Sequence, residues 1–138
     1  MNRVLVDTNI VIDLLAKRKE FYTEAAELFS LSDKKKLKLA ISSLTLANTN
    51  YVISKQKSRK EAREILRKFK VLVEILSLDS KIVELALNDD KFTDLEDGLQ
   101  YYSALQNNIN IILTRNKKDF KSAKVPVLTA KEYLSGKK

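Results

Sequence analysis

Neither cysteine nor histidine occurs among the 138 residues. Without cysteine there is no disulfide framework and no thiolate metal site. Without histidine the commonest general base is gone, together with most transition-metal sites. Any catalysis must run on carboxylates, hydroxyls, amides, lysine or arginine. Two glycines and one proline argue against linkers and disorder and for a compact, helix-rich chain. No apolar run approaches the ~20 residues of a membrane span. Asp7 interrupts the N-terminal apolar stretch too early for a signal peptide. A soluble, cytoplasmic chain without membrane contact is expected.

What is present is a chain of 44% hydrophobic and 32% charged residues, long enough for a hydrophobic core and read as one domain over 1–138. The formal charge of +8 favours an anionic partner, with nucleic acid first among the candidates. A merely solvated basic surface is the plainer explanation.

Hydrophobic periodicity switches repeatedly between short β-like runs and longer helical patterns. Strands are predicted at 2–6, 38–41, 71–76, 109–114 and in the VPVL run. Helices are predicted from Asp7 onward, over 20–31, over SSLTLANTNYVIS with Ser42 or Ser43 as cap, and over SRKEAREILRKFK, opened by Ser58 and Glu61. Further helices follow Asp79, span 94–107 and close the chain at AKEYL. Strands separated by helices imply parallel pairing, so the expected fold class is a three-layer α/β/α domain around a mainly parallel sheet.

In such sheets ligands bind beyond the carboxyl ends of the strands. Asp7 stands at the first of those ends, where it could equally serve as a helix N-cap. KFTDLEDGLQYY adds Asp94 and Asp97, three residues apart on one helix face. Thr93 and Glu96 fit a capping box, which assigns Glu96 a structural role. Gly98 inside this helix costs roughly 1 kcal/mol relative to alanine and suggests a close packing contact. After the 109–114 strand, TRNKKDF places Thr114, Asn116 and Asp119 at another strand end, where a surface turn is the bland alternative. Crowded carboxylates raise one another's pKa, and a cation resolves that conflict. Oxygen donors without histidine or cysteine suit Mg²⁺ or Mn²⁺.

The stretches VDTNIVIDLL, FTDLEDGLQYYSAL and ILTRNKKDF resemble, in that order, the three signature segments of PIN domains, specifically bacterial VapC-like toxins. The resemblance covers essentially the whole chain. It implies a Rossmann-like fold and an Mg²⁺- or Mn²⁺-dependent ribonuclease that hydrolyses RNA phosphodiesters with metal-activated water. It also implies a cognate antitoxin as partner and a homodimer. By the same resemblance, Asp7, Asp94, Asp97 and Asp119 match the catalytic and metal-binding acids. Thr8, Asn9, Asn48, Thr114, Arg115 and Asn116 match residues expected to face substrate. Asn48 departs from the pattern, because many members carry glutamate there; it brings no charge and cannot act as a base.

The positive charge is clustered. Residues 54–70 hold eight Lys or Arg against two Glu. Ala62, Ile65, Leu66 and Phe69 are expected to face the core, and Arg59, Lys60, Arg63, Arg67 and Lys70 to face outward. Phosphate contacts from such residues give affinity without sequence preference. An acidic antitoxin tail could use the same patch. Tyr101 and Tyr102 are expected to pack, at least one of them in the core, rather than to stack on bases. The alternative to an enzyme is a PIN-like RNA- or partner-binding module with a weakened site. A phosphoacceptor receiver domain fits poorly, because the acids are spread along the chain.

Overall fold

The computed structural model describes residues 2–136. Five parallel strands form one sheet in the order β3-β2-β1-β4-β5. They are β1 (Arg3–Val6), β2 (Lys38–Ser42), β3 (Val73–Leu76), β4 (Ile112–Leu113) and β5 (Val127–Leu128). The helices are α1 (Thr8–Leu15), α2 (Tyr22–Asp33), α3 (Ser43–Gln56), α4 (Arg59–Phe69), α5 (Ser80–Leu87), α6 (Leu95–Gln106) and α7 (Ala130–Ser135). Short 3-10 turns occupy Lys70–Leu72 and Lys117–Phe120. No helix among the described residues is long and apolar enough to cross a membrane.

Side-chain alternation explains the layers. Val4 and Val6 of β1, Leu39 and Ile41 of β2, and Leu113 of β4 join one apolar cluster with Ile10, Leu28, Phe29, Leu66 and Phe69. Leu5, Ala40 and Ile112, one residue out of phase, join a second cluster with Phe92, Tyr101, Ala104 and Phe120. Both faces of each inner strand are therefore dry, as a parallel sheet covered by helices requires. Each fully buried Leu, Ile, Val or Phe contributes roughly 1.5–3 kcal/mol from water exclusion. Ring contacts lie within each cluster: Phe29 meets Phe69 at 5.4 Å in the first, and Phe92 meets Tyr101 at 5.1 Å and Phe120 at 6.2 Å in the second.

Several predicted boundaries move. The expected 109–114 strand narrows to Ile112–Leu113, although Leu5 N–H still donates to the Ile111 carbonyl at 3.0 Å. The expected 71–76 strand begins at Val73, after a 3-10 turn. The second helix runs two residues later than expected, over Tyr22–Asp33. Ser42, rather than Ser43, caps α3 by accepting from Thr45 N–H. The α4 reading holds: Ser58 caps it, Ala62, Leu66 and Phe69 are buried, Ile65 is half-buried, and its basic residues are exposed. Tyr101 is buried, while half-buried Tyr102 donates its hydroxyl to Asp89 at 2.7 Å.

Strand order places the functional crevice. From β1 the chain crosses to β2 on one side, while β4 lies on the other. The reversal opens a gap at the carboxyl ends of β1 and β4, where ligands bind in open α/β sheets. Asp7 and Thr114 follow directly on those two strands.

Candidate active site

Asp7 is only 6% exposed, and both of its carboxylate oxygens accept hydrogen bonds. As N-cap of α1 it accepts from Thr8 N–H at 2.8 Å. The same oxygen, Oδ1, accepts from Gln100 Nε2 at 3.3 Å. Oδ2 accepts from the Thr114 hydroxyl at 2.8 Å and from Asn9 Nδ2 at 3.3 Å. Burial pushes the Asp7 carboxyl up from its ordinary value, the Thr114, Thr8 and Gln100 bonds hold it down, and the Asp119 charge adds to the rise. The N-cap role and the strand-end role of Asp7 are therefore one arrangement.

Beneath it runs a buried polar layer that the sequence reading did not anticipate. Gln100, fully buried on α6, donates through Nε2 to Thr45 Oγ1 at 2.8 Å and to Thr8 Oγ1 at 3.3 Å. Thr8 and Thr45 hydroxyls lie 2.9 Å apart. Gln100 stands three residues after Asp97 on the same helix, so its spacing was the available signal. On the other flank, Asn9 Nδ2 donates to Thr114 Oγ1 at 3.2 Å, and Arg115 and Asn116 N–H groups donate to Asn9 Oδ1 and Thr114 Oγ1. Thr8, Asn9 and Thr114 thus hold Asp7. The Asn116 side chain is exposed.

Asp97 is the electrostatic centre. It sits half-buried in the first turn of α6, and its carboxyl is pushed up to about 7. Burial is the largest cause, followed by the charges of Asp7, Asp94, Asp119 and Glu96. Three separated segments therefore bring their acids within mutual reach. Asp94 is the N-cap of α6, its Oδ1 accepting from Glu96 N–H at 2.9 Å. This corrects the expected Thr93–Glu96 box, in which Thr93 would have been the cap. The correction also changes Glu96: it is not a bystander, because burial and then the Asp7 and Asp94 charges raise its carboxyl, while a side-chain bond from Asn48 lowers it. Asn48 thus meets the acid cluster through Glu96.

Arg115 is occupied elsewhere than expected. Its Nε and an Nη donate to the Asp13 carboxylate at 2.7 and 3.2 Å, and its guanidinium lies 3.9 Å over the Phe21 ring. Asp13 is 1% exposed and its second cation, Arg18, stands at 3.7 Å. The Arg115 side chain therefore fastens the Thr114–Asn116 segment to α1.

Among the described residues, no three acidic side chains come close enough to enclose a metal ion unaided. The donor chemistry nevertheless fits a hard divalent ion: carboxylates and amides, no nitrogen or sulfur ligand, and a cluster whose acids resist ionising together. An ion of this kind keeps several waters and needs only one or two carboxylates directly.

A family model described as the PIN domain matches residues 3–118. The chain belongs to the PIN domain family. It is 31% identical over 135 residues to Ribonuclease VapC1 of Aquifex aeolicus (strain VF5), covering 95% of this chain and 92% of that protein. Among solved structures, it is similar to VapBC2 from Rickettsia felis bound to a DNA fragment from the promoter, at 26% identity and a TM-score of 0.67, with 91% of this chain and 96% of that one covered. A TM-score of 0.71 at 16% identity relates its PIN fold to VapBC-1 from nontypeable Haemophilus influenzae, with coverage of 94% and 98%.

Proposed function

We propose that this PIN-domain chain is a divalent-metal-dependent endoribonuclease, acting as the toxin of a toxin–antitoxin pair in the cytoplasm. The observation that carries the reading is the convergence of Asp7, Asp94, Glu96 and Asp119 on Asp97, whose carboxyl they and its burial hold near pH 7. Such a cluster is unfavourable without a cation and serviceable with one. The VapC1 relative, whose name states ribonuclease activity, supports RNA as substrate. The VapBC complex supports an antitoxin partner, and the family resemblance supports a homodimer.

In this reading Asp7 and Asp97, with Asp94 and Asp119 beside them, hold Mg²⁺ or Mn²⁺. When bound, the ion supplies water activation and offsets charge on the phosphodiester. The chain supplies rigidity. Thr8 N–H, Gln100, Thr114 and Asn9 fix Asp7 before substrate arrives, so orientation costs little during reaction. Asp97, whose carboxyl burial and its acidic neighbours raise to about 7, would hold the ion in its ionised form. Asn48 orients Glu96 without adding charge.

A second reading, an RNA- or partner-binding module, is favoured by the absence of a closed acidic shell among the described residues and by Asn48. Cleavage of a mixed RNA with Mg²⁺, Mn²⁺ or EDTA, beside an Asp7→Asn variant, decides between them. Metal-dependent cleavage lost in the variant is expected. RNA bound but intact under every condition leaves the module.

A further inference from the structure

Beside Asp97 the crevice widens into a cleft of about 340 Å³ lined by Asp94, Asp97 and Asp119 together with Lys91, Lys118 and Lys121. Opposite charges share this space without cancelling. All three lysines are exposed, and none forms an ion pair among the described residues. Their neighbour Lys117 behaves differently: its Nζ lies 3.0 Å from both Glu132 oxygens, on the C-terminal helix. The short turn and the residue after it thus carry one lysine paired on α7, Lys117, and two without an ion pair that line the cleft, Lys118 and Lys121.

A cleft of acids alone would repel a polyanion, and lysines paired to those acids would have no charge to offer. Free lysines beside acids that require a cation suit a chain of phosphates, one lying at the acids and its neighbours needing counter-charge of their own. Lys118 and Lys121 follow β4, whereas Asn48 and Glu96 meet on the side of α3, which follows β2 across β1. The lysines therefore mark one direction away from Asp97. Helix α4, which bears the exposed basic stripe, packs on α3, toward that other side. It offers long-range attraction, while contacts inside the cleft fix register.

We propose that Lys91, Lys118 and Lys121 form a phosphate subsite that holds the RNA backbone next to the cleaved bond, on the β4 side of Asp97. The inference rests on the ribonuclease reading, and its test separates the two. Binding of a single-stranded RNA oligonucleotide is measured by fluorescence anisotropy with Mg²⁺ in an Asp7→Asn background, across a salt series. Adding Lys118→Gln and Lys121→Gln is expected to weaken binding about tenfold and to flatten the log–log salt slope by about 1.4, the release expected for two single-strand phosphate contacts. Lys117→Gln, on the same turn, is expected to change affinity less than twofold. In the parent chain the double variant is expected to raise KM more than it lowers kcat. An unchanged salt slope, or an equal loss from Lys117→Gln, overturns the subsite even where cleavage is intact. Absence of cleavage with the lysine effect retained overturns the nuclease reading alone.

Discussion

Asp7 leaves β1 with both carboxylate oxygens committed to four donors, and it is almost wholly buried. Asp97, in the first turn of α6, accepts no side-chain hydrogen bond among the described residues and is surrounded by the other acids. One acid is fixed by dipoles whether or not a ligand is present. The other is left for a ligand to complete. A site built this way divides its labour between a rigid reference point and a responsive partner.

The comparison makes its largest demand on paired substitutions. Asp7→Asn and Asp97→Asn should each lower RNA cleavage at least about 100-fold, since a lost ion forfeits several kcal/mol of charge stabilisation. Their effects on metal-free stability should have opposite signs. At position 7 the new amide nitrogen faces two donors whichever way it turns, at a cost of about 1–2 kcal/mol in denaturant unfolding. At position 97 the substitution removes the charge that four neighbours oppose, so the variant should melt higher than the parent in EDTA. Destabilisation by both would erase the distinction.

The same asymmetry has a pH signature. Asp97 has an ordinary value of 3.8 and a folded value of about 7. Between these, the folded chain retains a proton that the unfolded chain has released. Metal-free stability should therefore fall as pH rises through this interval, most of the loss being complete by about pH 7. Metal affinity should climb over the same range. Tm in EDTA from pH 5 to 8 tests this, and Asp97→Asn should flatten the curve. An equal slope in both proteins would remove Asp97 as its source.

Smaller effects sharpen the picture. Gln100→Ala removes the amide beneath Asp7 and leaves a cavity, with about 2 kcal/mol lost. Metal binding by calorimetry should weaken about tenfold, as for other groups that orient a ligand. Normal affinity in that variant would show that Thr114 and Thr8 suffice. Gly98→Ala is the mildest change. A Cβ there would stand 3.5 Å from Ala86 Cβ and 3.6 Å from Phe92 Cβ, ordinary contact distances. The variant should gain up to about 1 kcal/mol in chemical unfolding while retaining cleavage. That outcome separates a gain in helix stability from the gain expected at Asp97, which comes with lost function.

The α/β layering was legible because the short apolar runs VLV and KLAI and the capping signals at Ser58 and Asp79 are local. The acids were legible too, since strand ends and an i, i+3 pair are features of short stretches. What escaped the sequence was the choice of cap, boundary and hydrogen-bond partner. Thr93 and Asp94 are equally good caps by composition, and a one-residue choice decides the placement of Glu96. Gln100 and Thr45 are 55 positions apart, so no window of sequence contains their bond. Asp13 finds its partner Arg115 only 102 residues later. The shortness of β4 was also hidden, because INIILT is largely strand-like while its regular strand is only Ile112–Leu113.

The Asp13–Arg115 pair couples the mouth of the crevice to the first helix. Asp13 is almost wholly buried and faces two cations, Arg115 at 2.7 Å, whose guanidinium lies over Phe21, and Arg18 at 3.7 Å. The partners are therefore unequal: removing Asp13 leaves two guanidiniums without their shared acid, whereas removing Arg115 leaves Asp13 with Arg18 still beside it. Because Arg115 also carries the backbone between Thr114 and Asn116, one buried carboxylate on α1 sets the position of the crevice rim.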